Sequence, residues 1–89
     1  MVIYLTFDAA VVKEKGITFA IVSVDSFAVK DDLSINYTQR KYQLYFPFIP
    51  IILFIKDSIN DPKYYGRKDI VELLTDVSYH QIPWKKYKV

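Results

Sequence analysis

Two apolar runs open the chain. VIYLTF (2–7) and ITFAIVSV (17–24) are built from β-branched and aromatic residues, and in the second Ile17, Phe19 and Ile21 alternate with Thr18 and Ala20. Successive side chains of a strand point to opposite faces, so both runs predict strands. Between them, DAAVVKEKG ends in Lys13-Glu14-Lys15-Gly16, a turn in which Gly16 supplies the positive φ that other residues resist. If the first strand continues through Val12, residues 2–24 form one long antiparallel hairpin. If instead Asp8 caps a helix over 9–15, the two strands are parallel and joined by a crossover. That crossover would have only about ten linking residues, at the lower edge of what a parallel connection requires, so the hairpin is preferred.

The period then changes. In DDLSINYTQRKYQLY (31–45) Asp31 or Asp32 can cap a helix, and Leu33, Tyr37 and Leu44 with Tyr45 fall near one face; Ser34, Asn36 and Thr38 are poor helix formers. FPFIPIILFIKDS (46–58) has no polar alternation. Pro47 and Pro50 lack an amide donor and mark the entry, leaving 51–55 as a strand covered on both faces and central in the sheet. KDSINDP (56–62) is a turn, residues 63–65 a short returning strand, and Gly66 its end. From Arg67 the apolar positions Ile70, Leu73, Leu74 and Val77 recur at i, i+3, i+4 and i+7, the cleanest helical period in the chain. Pro83 blocks helix continuation in SYHQIPWKKYKV (78–89).

The order is thus β-β-α-β-β-α. A helix joining strands two and three makes them parallel, and the next connection makes three and four antiparallel. The expected fold class is α+β, a compact two-layer domain with a mixed sheet of about four strands. Residues 1–78 form the single globular domain, and 79–89 an irregular basic-aromatic C-terminal segment packed on it or flanking it.

Composition agrees with one folded domain, since 89 residues that are 52% apolar and 17% aromatic can bury a core. Cysteine is absent, which excludes disulfides, thiolate metal sites and a cysteine nucleophile and fits a reducing, cytoplasmic setting. The first residues show no signal-peptide pattern. The ten-residue apolar run 46–55 is half the length of about 20 residues that a membrane helix needs, so no membrane contact is expected. Residues 1–84 carry nine Lys or Arg against ten Asp or Glu, and Lys85, Lys86 and Lys88 supply the whole positive excess. A neutral body with a basic tail is not by its charge a nucleic-acid-binding domain.

KEKGITFAIVSVD (13–25) is similar to the segment of glutaredoxin-like and thioredoxin-like proteins that runs from the end of their first helix into the second strand. FPFIPIILFIKDS followed by KYYGRKDIVELL (63–74) resembles their proline-initiated central strand, its antiparallel partner, the glycine after it and the closing helix. The resemblance covers residues 13–77 and implies an alternative fold class, a degenerate thioredoxin-like α/β domain. It implies a cis peptide before Pro50, should that residue stand in for the family's cis-proline. It carries over no catalytic residue, because the family's cysteines have no counterpart here.

Two segments could bind. Tyr64, Tyr65, Gly66, Arg67 and Lys68 lie at the start of the last predicted helix, where free amides and the helix dipole favour anions and two cations would reinforce a phosphate or carboxylate. The plainer reading has Arg67 and Lys68 solvated, a tyrosine packed inward and Gly66 serving the backbone. In the tail, Trp84 and Tyr87 interleave with Lys85, Lys86 and Lys88, a mixture that stacks bases and contacts phosphates. Its plainer reading has Ile82 and Trp84 folded onto the core while the lysines keep the end soluble. His80 has no partner pattern for metal or triad chemistry, Asp57, Asn60 and Asp61 are turn formers, and Ser23, Ser26 and Ser58 sit in no nucleophile context.

No cofactor, metal or catalytic acid–base pair is expected. The leading functional expectation is a noncatalytic protein-interaction domain that binds a protein partner or itself, because Tyr37, Tyr42, Tyr45, Tyr79, Trp84 and Tyr87 exceed what a small domain buries. The alternative is a nucleic-acid or phosphate-ligand binding module. It requires the turn at Gly66 and the basic tail to share one face.

Overall fold

In a computed structural model, which describes residues 5–58 and 60–89, the chain forms β1 (Thr6–Glu14), β2 (Ile17–Val24), α1 (Asp32–Gln43), β3 (Ile51–Ile55), β4 (Tyr64–Tyr65), α2 (Lys68–Leu74) and β5 (Lys85–Lys88). Short 3₁₀ turns, Ser26–Val29 and Tyr79–Gln81, precede α1 and β5. Residues 2–4 of the first predicted strand and Ile59 of the 56–62 turn lie outside the described residues.

The five strands make one mixed sheet in the order β4-β3-β2-β1-β5. β1 and β2 are the antiparallel hairpin, with Glu14 paired to Ile17 across a two-residue loop. Both loop residues have positive φ, 48° at Lys15 and 80° at Gly16, and such a loop matches the right-handed twist of the flanking strands. β2 and β3 are parallel through the α1 crossover, and β3 and β4 antiparallel. The α+β class and the mixed sheet are therefore as expected, with one strand more than about four. The extra strand is the tail: residues 85–88 are not irregular but pair antiparallel with β1, setting Tyr87 opposite Phe7 and Lys86 opposite Asp8.

The sheet is covered on both faces, so the two layers expected become three. On one face Phe7, Ala9, Val22, Val24, Ile51 and Leu53 pack with Tyr42 of α1 and with Phe46. On the other, Ala10, Phe19, Ile21, Ile52 and Phe54 pack with Ile70 and Leu74 of α2 and with Ile82. The unbroken apolar run of β3 follows from this arrangement, because a strand with a helix over each face has no wet side. No cis peptide occurs among the described residues, so the bond before Pro50 is trans.

α1 is capped as expected, with the Asp31 carboxylate accepting from the Ser34 amide at 2.8 Å. That hydrogen bond holds the Asp31 carboxyl below its ordinary range. Its orientation is the main correction. Leu33, Tyr37 and Leu44, expected on one apolar face, point to solvent with exposures of 82%, 71% and 80%. Thr38 and Tyr42 face the sheet instead, with Ile35 packed at their side. Thr38 can be buried because its hydroxyl lies 3.0 Å from the Ala28 carbonyl and 2.8 Å from that of Ser34, so it is satisfied inside. Tyr42 meets Phe7 edge-on at 4.9 Å.

Candidate functional site

Around Gly66 the structure gives a mechanical reason for the turn. Gly66 has φ 157° and lies against β3: a Cβ there would overlap Cδ1 of Ile52 and sit 3.1 Å from the Ile51 carbonyl oxygen. Glycine is required because the backbone passes directly over the neighbouring strand. Tyr64 and Tyr65 pair with Phe54 and Leu53 and turn to opposite faces, Tyr64 toward the α2 core and Tyr65 toward the α1 core. Arg67 grips Asp69 through two hydrogen bonds, Nε to Oδ1 at 2.8 Å and a terminal nitrogen to Oδ2 at 2.7 Å. That paired hydrogen bonding draws the Asp69 carboxyl down to about 2. The Arg67 charge is thus matched within its own turn, Lys68 is exposed, and α2 has its acid in the first turn.

The tail residues are strand and core-rim residues. Tyr87 stacks on Phe7 with centroids 5.4 Å apart and planes 10° apart, and Trp84 lies against Phe54 and Tyr79 at 5.5 and 5.7 Å. The Tyr64 hydroxyl and Trp84 Nε1 are shut from solvent without a hydrogen-bond partner among the described residues, and burial pushes the Tyr64 hydroxyl pKa up. Lys85, Lys86 and Lys88 occupy the outer strand, where lysines discourage unwanted strand pairing. β4 and β5 are opposite edges of the sheet, roughly 19 Å apart at the usual strand spacing. Gly66, Arg67 and Lys68 are therefore not brought together with Lys85, Lys86, Tyr87 and Lys88; Tyr64 and Trp84 alone converge, on Phe54.

The surface that stands out runs along α1. Leu33, Tyr37 and Leu44 recur at i, i+4 and i+11, which aligns them as a single ridge on the outer side of the helix. Phe27, 78% exposed in the turn before α1, joins Leu33 and Tyr37 in lining a groove of about 740 Å³ between α1 and the strand ends of β1 and β2. The groove's rim is charged: Lys30, Lys41 and Lys56 with Asp8 and Asp25, of which Lys56 and Asp25 are 3.4 Å apart. At the far end of α1, Phe48 is wholly exposed at φ 72°, a backbone conformation costly for a bulky residue. The Gln43 amide holds that loop in shape by donating to the Phe46 and Ile49 carbonyls at 2.7 and 2.8 Å.

Of the six aromatics expected in surplus, Tyr37 and Tyr45 are exposed, whereas Tyr42 is buried and Tyr79, Trp84 and Tyr87 pack into the core rim. Phe27, Leu33, Leu44 and Phe48 were not singled out for function. A signal for Leu33 and Leu44 was present, since at helical spacing Leu33, Tyr37 and Leu44 fall on one side of 31–45 and Ile35 and Tyr42 on the other. No helix among the described residues is long and apolar enough to cross a membrane, and no cluster of three or more His, Cys, Asp or Glu among them could hold a metal. His80 lies exposed beside Tyr79. No protein family, curated protein or solved structure matches the chain, so its function is read from its own geometry.

Proposed function

We propose that this chain is a noncatalytic protein-interaction domain whose docking surface is the outer ridge of α1, with Phe27 and Phe48 at its two ends. One observation carries the reading: Leu33, Tyr37 and Leu44 lie in one line on a capped helix and all three face solvent. Exposed apolar residues scattered singly need no explanation, but a contiguous stripe beside a groove marks a contact surface. Aromatic anchors at the centre of a patch and charges at its rim are the composition of protein interfaces. The sheet supplies rigidity, and the α1 ridge supplies recognition. A reading through nucleic acid or phosphate draws on Lys68 and the β5 lysines, which the sheet holds at opposite edges.

The test is a benzophenone side chain placed at position 37, or at position 72 on α2 as control, in cells expressing the chain. Position 37 is expected to give a discrete protein adduct on irradiation and position 72 none. Equal labelling from the two positions, or no adduct at 37, would remove the support for the ridge as a docking surface.

A further inference from the structure

We infer that the partner on the α1 ridge is an acidic amphipathic helix, which sets apolar side chains on Leu33, Tyr37 and Leu44 and carboxylates on Arg40 and Lys41. The inference rests on the ridge being a docking surface and names the chemistry of its occupant. The charge on the outer side of α1 carries it. At about 100° of turn per residue, and with Leu33 as origin, Leu44 falls about 20° and Tyr37 about 40° round the helix. Arg40 falls about 20° to the other side of Leu33, and Lys41 about 80° round on the side of Tyr37. Both cations are exposed and flank the apolar stripe. The acids of α1 are placed elsewhere. Asp31 is engaged by the Ser34 amide, and Asp32 lies about 100° from Leu33, on the flank away from Tyr37 and Lys41.

Among the described residues no acid answers those two cations. The ion pairs there are Lys56 with Asp25 and Arg67 with Asp69, and Lys41 lies over the ring of its neighbour Tyr42, 5.4 Å from the centroid. Cations in a last turn suit the helix dipole on any side of the helix, so the dipole does not explain why they border the apolar stripe. An apolar centre with charge of one sign at its rim selects a partner of the opposite sign, because like charges repel on docking. The stripe from Leu33 to Leu44 is roughly 16 Å long, so about three turns of a partner helix cover it. A nucleic-acid backbone would also meet the two cations, but it would leave Leu33 and Leu44 uncovered, and two cations make few phosphate contacts.

The experiment titrates the whole purified chain, followed by its backbone amide resonances, with two synthetic helical peptides. The two share their leucines and phenylalanines and carry either Glu or Lys at the flanking positions. The Glu peptide is expected to shift the amides of 33–44 and to bind more weakly as salt is raised, and the Lys peptide to leave them in place. With Arg40→Glu and Lys41→Glu combined, the Glu peptide should bind about 10-fold more weakly and the Lys peptide should now bind. Both positions are exposed, so the amide spectrum of that variant outside α1 should match the wild type and report an intact fold. Equal affinity for the two peptides, no shift at 33–44 with the Glu peptide, or a double variant that binds it unchanged overturns the acidic partner. So does a single-stranded oligonucleotide that shifts the same amides at lower concentration than the Glu peptide, which would assign the cations to phosphate. If both peptides bind the ridge alike, the ridge stands as a docking surface and only the charge of its partner is wrong. If neither binds and position 37 gives no adduct in cells, the docking surface itself falls.

Discussion

In α2, Ile70 and Leu74 stand one turn apart and are 0% and 2% exposed; in α1, Leu33 and Tyr37 stand one turn apart and are 82% and 71% exposed. Each pair is the clearest apolar spacing of its helix, yet one pair enters the core and the other leaves it. α2 has no choice, because its remaining positions include Lys68, Asp69 and Glu72, and burying a charge without a partner costs far more than exposing it. α1 has two usable faces. One carries Ile35, Thr38 and Tyr42, and the other Leu33, Tyr37 and Leu44. The sheet accepts one helix face, and the first fits: Thr38 bonds to carbonyls, Tyr42 reaches Phe7, and the Gln39 amide meets the Ile51 carbonyl at 3.4 Å. A second apolar face on a helix already docked is surface that folding of one chain does not use.

The contrast is sharpest in stability. Ile70→Ala, at a fully buried position, should lower the unfolding free energy by about 2–5 kcal/mol, whereas Leu33→Ala in dilute protein should change it by less than about 0.5 kcal/mol. Chemical denaturation of both variants at a concentration below any association measures the difference; comparable losses would mean that the ridge belongs to the fold and not to an interface. Next in size is the turn that leads into α2. Gly66→Ala forces a Cβ onto Ile52 and should cost about 1–3 kcal/mol, read in the same denaturation series.

A change in the opposite direction is expected at the far end of α1. Phe48 is held at φ 72°, and asparagine tolerates that region, so Phe48→Asn should stabilise the dilute chain by up to about 1 kcal/mol while removing an exposed aromatic from the proposed docking surface. A residue kept at a cost to stability is what a binding surface predicts; a Phe48→Asn variant that is less stable would place Phe48 in the structural framework instead.

The smallest effect is in acid and concerns α2 alone. The Asp69 carboxyl is at about 2 in the folded chain and near 3.9 when unfolded, so its folded pKa is depressed. Its contribution is fully present above about pH 4 and is lost as the pH falls through about 2. A thermal-unfolding profile between pH 5 and 2 should therefore fall less steeply for Asp69→Asn than for the wild type. Identical acid limbs would show that the Arg67 clasp, exposed on both sides, adds nothing in solution.

Much of the fold was legible because local signals agreed with tertiary demands. Lys15-Gly16 marked a hairpin turn, Pro50 marked the start of an unbroken apolar strand, and the 70, 73, 74, 77 period marked α2. Val77 keeps its place in the core even though the helix ends at Leu74, because side-chain packing outlasts the backbone period. β5 was not legible, since Lys85, Lys86, Tyr87 and Lys88 have the composition of a solvated end; they form a strand because β1 has an open edge for them to pair with. The candidate site was legible in a distorted way. Gly66 and Arg67 stood out, and the structure gives each a local partner, Ile52 and Asp69.

The residue pattern by itself determined the first four strands, the two helices and the Asp31 cap of α1, for these depend on neighbours within a few positions. Only the tertiary structure decided which side of α1 turns inward. That choice compares two faces of one helix against a surface assembled from β1, β2 and β3, and no periodicity along the chain contains the shape of that surface. The face left over, Leu33, Tyr37 and Leu44, is where the functional reading of this protein now rests.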